Sequence, residues 1–199
     1  DQISQMTEVA VSRLYNNYRL PKPVAKITQD YLGLDEKNDK VRGFSESLYL
    51  SKENALPVIM SCNSKQEQIN NIVSIINNNK YRNVGILVAD NEIVLEIMNS
   101  FTSSKFACEF KYNAGYNDSR NKDTLNFKTE RPKLMTYHSA KGLQFETVII
   151  PFYEGARNTD EKKALYVAMT RTYRNLYILY DGILQEPLKS VPERLYERR

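Results

Sequence analysis

The chain has 199 residues, 41% hydrophobic and 11% aromatic, with a formal net charge of +4. That is apolar content for one folded domain. No apolar run approaches about 18 residues, and the start (Asp1-Gln2-Ile3-Ser4-Gln5) has no basic region followed by an apolar core, which argues against a membrane span and a secretory leader. The first residue is not Met, as in a processed or excised segment. Cys62 and Cys108 are isolated and match no metal spacing, so no metal site is expected and both read as reduced thiols of a cytoplasmic protein. His138 is the only histidine, which argues against a His-rich metal site or a Ser-His-Asp triad elsewhere. The mild positive charge permits a nucleic-acid partner without demanding one.

In chain order, Val9, Val11 and Leu14 alternate and predict a strand over 7–15. Pro21 and Pro23 open a helix with Val24, Ile27 and Tyr31 on its apolar stripe. The stretch 34–54 is polar and irregular. A buried strand is predicted over 57–62, then a helix capped by Ser64 with Glu67 completing a capping box, its apolar face made of Ile69, Ile72, Val73 and Ile76. Residues 84–88 form the next strand. Asp90 or Asn91 caps a helix carrying Ile93, Val94, Ile97, Met98 and Phe101.

Residues 106–111 read as a further strand. The stretch 113–131 is poor in apolar residues and reads as a loop, basic at Arg120, Lys122, Lys128, Arg131 and, just beyond it, Lys133. Strands are predicted over 133–137 and 147–151. Asn158 and Glu161 cap a helix whose first turn holds Asp160 and Glu161, where the helix dipole favours negative charge. Residues 176–180 are the last clear strand, and 187–199 a tail helix. Apolar strands alternating with helices predict a mainly parallel sheet covered on both faces.

Two motifs stand out. One is Leu134-Met135-Thr136-Tyr137-His138-Ser139-Ala140-Lys141-Gly142-Leu143-Gln144-Phe145; the other, after a β-like run, is Ala164-Leu165-Tyr166-Val167-Ala168-Met169-Thr170-Arg171-Thr172. By chemistry alone, Gly142 permits a tight turn after a strand, and an arginine late in a helix complements the negative end of its dipole. In this order and spacing the pair resembles motifs V and VI of UvrD/Rep-type superfamily 1 DNA helicases. Asn17-Tyr18-Arg19, between a strand and a Pro-opened helix, is similar to motif IV of the same family.

The resemblance implies a three-layer α/β/α RecA-like domain, the second (C-terminal) of the family's two. It implies that Arg171 and Arg19 reach the γ-phosphate of ATP, as arginine fingers do. It implies that Tyr18 stacks on the adenine and that Gly142 and Gln144 lie at the nucleotide. It further implies that Thr136, His138, Ser139, Lys141 and Asn91 meet single-stranded DNA. Two departures are plain: Gln144 stands where the family usually has Glu, and Val88-Ala89 where it often has Tyr-Arg before the asparagine.

No G-x-x-x-x-G-K-[ST] phosphate loop occurs. The resemblance therefore implies that ATP and Mg²⁺ are held by a first RecA-like domain of the same protein, and that the isolated chain is inactive and monomeric. The expected organisation is one domain over 1–199, with a core of about 8–181, irregular insertions at 34–54 and 113–131, and the tail helix. The alternative is a helicase-derived module that binds DNA or protein and never meets ATP.

Overall fold

The structure, a computed structural model, describes residues 20–33, 55–115 and 118–199. The expected strand over 7–15, the Asn17-Tyr18-Arg19 motif and the insertion at 34–54 lie outside the described residues. The first described helix, α1 (Lys22–Leu32), starts after Pro21 and ends at Gly33, whose φ of 66° is the left-handed conformation glycine adopts freely. Then follow β1 (Val58–Cys62), α2 (Lys65–Asn79), β2 (Val84–Val88), α3 (Asn91–Ser103), β3 (Glu109–Tyr112), β4 (Lys122–Asp123), β5 (Lys133–Thr136), β6 (Phe145–Ile150), α4 (Thr159–Met169) and β7 (Thr172–Asp181). Two 3-10 turns (Leu188–Ser190 and Glu193–Leu195) lead to β8 (Glu197–Arg198).

The sheet runs in the order β4-β3-β5-β2-β6-β7-β1-β8, and every pairing is parallel except β3 with β4. Its central strand β2 is apolar and buried along its whole length because both faces are covered. Val24, Ile27 and Tyr31 of α1 and Leu165 and Met169 of α4 pack on one face. Ile69, Ile72 and Ile76 of α2 and Val94, Ile97 and Phe101 of α3 pack on the other. The result is the three-layer α/β arrangement expected from the sequence. Among the described residues, no helix is long and apolar enough to cross a membrane.

The helix starts follow local chemistry. Ser64 accepts the Glu67 amide, while Glu67 reaches back to the Asn63 amide (2.7 Å), one residue earlier than in a standard capping box. Asn158 accepts the amides of Asp160 and Glu161. Asp90, not Asn91, caps α3 by accepting the Ile93 amide.

Three expectations need correction. Residues 187–199 form no helix: Pro192 lacks an N–H, Val191 before it is extended, and the segment closes as β8 against β1. Leu188, Val191 and Tyr196 join the core, which extends past 181. Within the expected irregular insertion 113–131, β4 is a strand of two residues, and Asn91 brackets Asn113, donating to its carbonyl (2.7 Å) and accepting its amide (3.2 Å). Lys133 is not a surface cation of that loop. It is buried and paired with Glu109 at 3.1 Å.

Gly85 in β2 has a packing reason. A Cβ there would lie 2.5 Å from the Phe145 ring. Gly85→Ala is expected to destabilise the fold by about 1–3 kcal/mol through overpacking, read as a lowered urea midpoint; an unchanged midpoint would mean that Phe145 moves aside at no cost.

Candidate functional site

Because the core strands are parallel, all their first residues share one edge of the sheet and all their last residues the other: a start edge and an end edge. Thr136, the last residue of β5, is level with Val88, the last of β2. Phe145, the first of β6, is level with Thr172, the first of β7. Segment 137–144 therefore crosses from the end edge to the start edge, passing β2 on the α1/α4 face, where Ala140 is buried and Leu143 packs.

No helix forms in this crossover. The Thr136 Oγ1 accepts the Ser139 amide (3.2 Å), the Ala140 amide donates to the Thr136 carbonyl (3.1 Å), and the Leu143 amide to Ala140 (3.0 Å). Gly142 follows at φ 90°, which a side chain would strain. These tight turns leave His138, Lys141, Gly142 and Gln144 exposed and Ser139 half-buried. Beneath them, burial pushes the Tyr137 phenol above its ordinary range, helped by nearby Tyr153 and Asp90, so it remains protonated.

Arg171 sits between the end of α4 and the start of β7. Its Nε donates to the Val167 carbonyl (3.0 Å) and its Nη2 to the Thr170 hydroxyl (3.3 Å). The guanidinium thus lies where the dipole of α4 is negative. The Phe145 amide donates to the Arg171 carbonyl at 2.9 Å, which ties the end of one motif to the end of the other.

The expected site residues fall into two groups. Gln144 and Arg171 both stand at the start edge. Thr136, His138, Ser139 and Asn91 stand at the end edge, with Lys141 and Gly142 on the crossover between. Tyr18 and Arg19 lie outside the described residues. Asn91 is engaged with Asn113 rather than open to a ligand.

At the same edge opens a cleft of about 340 Å³ lined by Asn79, Lys80, Tyr81, Arg82, Glu146, Arg174 and Asn175. Arg174 pairs with Glu146 at 2.6 Å across its floor. The only carboxylate in its wall is thus engaged, and among the described residues no group of three or more His, Cys, Asp or Glu converges to hold a metal. Arg171 fits the charge of a phosphate; these residues do not fit Mg²⁺. Sequence reasoning missed the Glu109–Lys133 pair and this cleft, because their members are far apart along the chain.

Residues 133–179 match the model of the UvrD-like helicase C-terminal domain. No curated protein matches the chain. Among solved structures, the fold is similar to the C-terminal domain of a possible DNA helicase from Lactobacillus plantarum, with a TM-score of 0.66 at 16% identity, covering 92% of this chain and 98% of that one. It is also similar to the E. coli DEAD-box protein SrmB, with a TM-score of 0.54 at 12% identity, covering 74% and 92%. The matched segment is the one that carries the crossover and α4, and the parallel sheet that supports them is similar in fold to helicase C-terminal domains.

Proposed function

We propose that this domain is the second half of an ATP-driven DNA motor, presenting Arg171 to a triphosphate held by a companion RecA-like domain. The observation that carries the reading is the Phe145–Arg171 hydrogen bond. It fixes Gln144 and Arg171 at one edge, while the segment that begins at Thr136 reaches the other. A planar, permanently charged guanidinium carried by a rigid helix end stabilises charge on the transferring phosphoryl group. Gln144 beside it offers a neutral hydrogen-bonding group for a ribose hydroxyl. Bound ATP would supply the phosphoryl group that passes to water with ADP as the leaving group, and Mg²⁺ would neutralise its charge; this chain would supply orientation and one cation.

At the end edge, Thr136, His138, Ser139 and Lys141 offer donors to the phosphates of a single DNA strand. Because one short crossover touches both edges, a shift of the nucleotide side displaces the DNA side. Arg19 and Tyr18 belong to the same proposal as a second cation and an adenine platform. Lys162 donates to the Leu32 carbonyl (3.3 Å), so the end of α1 packs on the start of α4.

A second reading, a helicase-derived binding module without ATP chemistry, is favoured by one observation: the Arg171 guanidinium already bonds to the end of its own helix. ATP turnover with single-stranded DNA separates the two. The chain alone is expected to show none, and the chain joined to its companion domain to show DNA-stimulated turnover. Absence of turnover in the joined protein supports the module instead.

A further inference from the structure

Charge is unevenly divided between the two edges. The connections that enter β2, β3 and β5 carry five exposed cations, Lys80, Arg82, Lys105, Lys128 and Arg131, against one exposed carboxylate, Glu130. The connections that leave β1, β2, β6 and β7 at the opposite edge carry Asp90, Glu154 and Glu186 against Arg157. The strands β3, β5 and β2 are neighbours, so these cations spread over about 10 Å of edge. Lys105, Lys128 and Arg131, at β3 and β5, lie away from Arg171 at β7, while Lys80 and Arg82 share a cleft with Arg174 of β7. Arg82 and Glu130 form an exposed pair at 3.2 Å, which water and salt weaken.

A second observation falls at the same place. Phe127 is 57% exposed, at the tip of the turn Asn126-Phe127-Lys128-Thr129. Both ends of that turn are clamped on one buried carboxylate: Glu109 accepts the Asn126 amide through Oε2 and the Thr129 hydroxyl through Oε1, each at 2.6 Å. Lys133 neutralises Glu109 beneath them. A buried ion pair thus fixes an aromatic ring in water beside two cations, Lys128 and Arg131. No core contact of Phe127 accounts for it.

We propose that this part of the start edge binds single-stranded nucleic acid, with Phe127 stacking on a base while Lys80, Arg82, Lys105, Lys128 and Arg131 follow the phosphates. A held aromatic face beside a row of cations is the chemistry that single strands require and that a compact triphosphate does not. The site goes beyond the ATP-facing role of Arg171 and stands without it.

The test is fluorescence anisotropy of labelled oligo-dT and oligo-rU with the 199-residue chain, at low and at physiological salt. Lys128→Ala with Arg131→Ala should make the log–log salt dependence shallower by about 1.4, about 0.7 for each single-strand phosphate contact. Phe127→Ala should weaken binding about tenfold, and Phe127→Tyr should restore it. Preference between the two oligonucleotides tells DNA from RNA as the source. Should the Lys128/Arg131 pair perturb folding, Arg82→Ala with Lys105→Ala gives the same reading. The proposal is overturned if the chain binds neither strand. It is overturned if only His138→Ala and Lys141→Ala, at the opposite edge and crossover, reduce binding; the DNA role proposed for those residues then stands alone. It is also overturned if poly-glutamate competes equally and Phe127→Ala is silent, which marks an acidic protein surface as the partner. ATP turnover is not the readout, so this outcome is independent of the motor reading.

Discussion

Arg171→Ala, in a protein that joins this domain to its ATP-holding companion, is expected to lower ATP turnover by about a thousandfold or more, the range found for arginine fingers. Its stability should change little. The guanidinium bonds at the end of α4 are those of a half-buried cation at a helix terminus, worth roughly 0.3–1 kcal/mol. Arg171→Lys keeps the charge but loses the planar fork, so it should recover only part of the rate. The measurement is steady-state turnover at saturating ATP and single-stranded DNA, with a thermal melt as the folding control. A large loss of turnover with an unchanged melt assigns the effect to phosphate chemistry. A lowered melt with unchanged turnover would leave Arg171 as a helix cap.

The Glu109–Lys133 pair carries the largest expected effect on stability. Both side chains are buried, at 7% and 4% exposure. Burial alone would raise the Glu109 carboxyl; the Thr129 hydroxyl, the Asn126 amide and Lys133 outweigh it and hold the carboxyl below the ordinary glutamate range. Lys133→Met leaves that carboxylate without its cation and should cost about 3–5 kcal/mol. Glu109→Gln should cost a comparable amount and free the Phe127 turn. Replacing both, Glu109→Leu with Lys133→Met, should recover much of the loss, because two desolvated charges disappear together. The pH dependence follows in sign. A carboxyl whose pKa is lowered on folding adds stability above its unfolded value and loses it as the pH falls through the folded one. The wild type should therefore lose a component of stability at acid pH, below the ordinary glutamate range, that Lys133→Met lacks. Equal acid sensitivity in the two proteins would show that Glu109 does not report on this pair.

What was legible in the sequence was local. Ser64 and Asn158 cap α2 and α4 through partners two or three residues away, and a chain scanned for capping residues reveals them. The apolar runs of β2 and β6 announce a sheet buried on both faces. The start of β7 was not legible, because Thr172 and Asn175 are polar. Thr172 donates to the Glu146 carbonyl and Asn175 to the Thr147 hydroxyl, so partners on β6 make strand residues of them. The anchors of Asn113 and Asn126 were hidden for the same reason: Asn113 is held by Asn91, 22 residues earlier, and Asn126 by Glu109, 17 earlier. The tail was misread because Leu188, Val191 and Tyr196 fill the core beside a short edge strand instead of lining a helix.

The candidate site divides in the same way. Its residue types were readable from the spacing of two motifs, since each motif is one continuous segment. Their distribution over opposite edges was not, because that depends on β5 and β6 lying on either side of β2 and on a crossover too short and turn-rich to be a helix. The uneven charge of the edges was equally invisible: the cations beside β2, β3 and β5 come from connections far apart in sequence.

In the proposed motor, Arg171 leaves the end of its own helix for a phosphate supplied by a neighbouring domain. The direct measurement is a structure of the joined protein with a nonhydrolysable ATP analogue and a single DNA strand. The expected result is an Arg171 guanidinium nitrogen about 2.7–2.9 Å from an oxygen of the terminal phosphate, the span of a charge-assisted hydrogen bond. An Arg171 still bonded to the Val167 carbonyl, with the nucleotide held elsewhere, would contradict it.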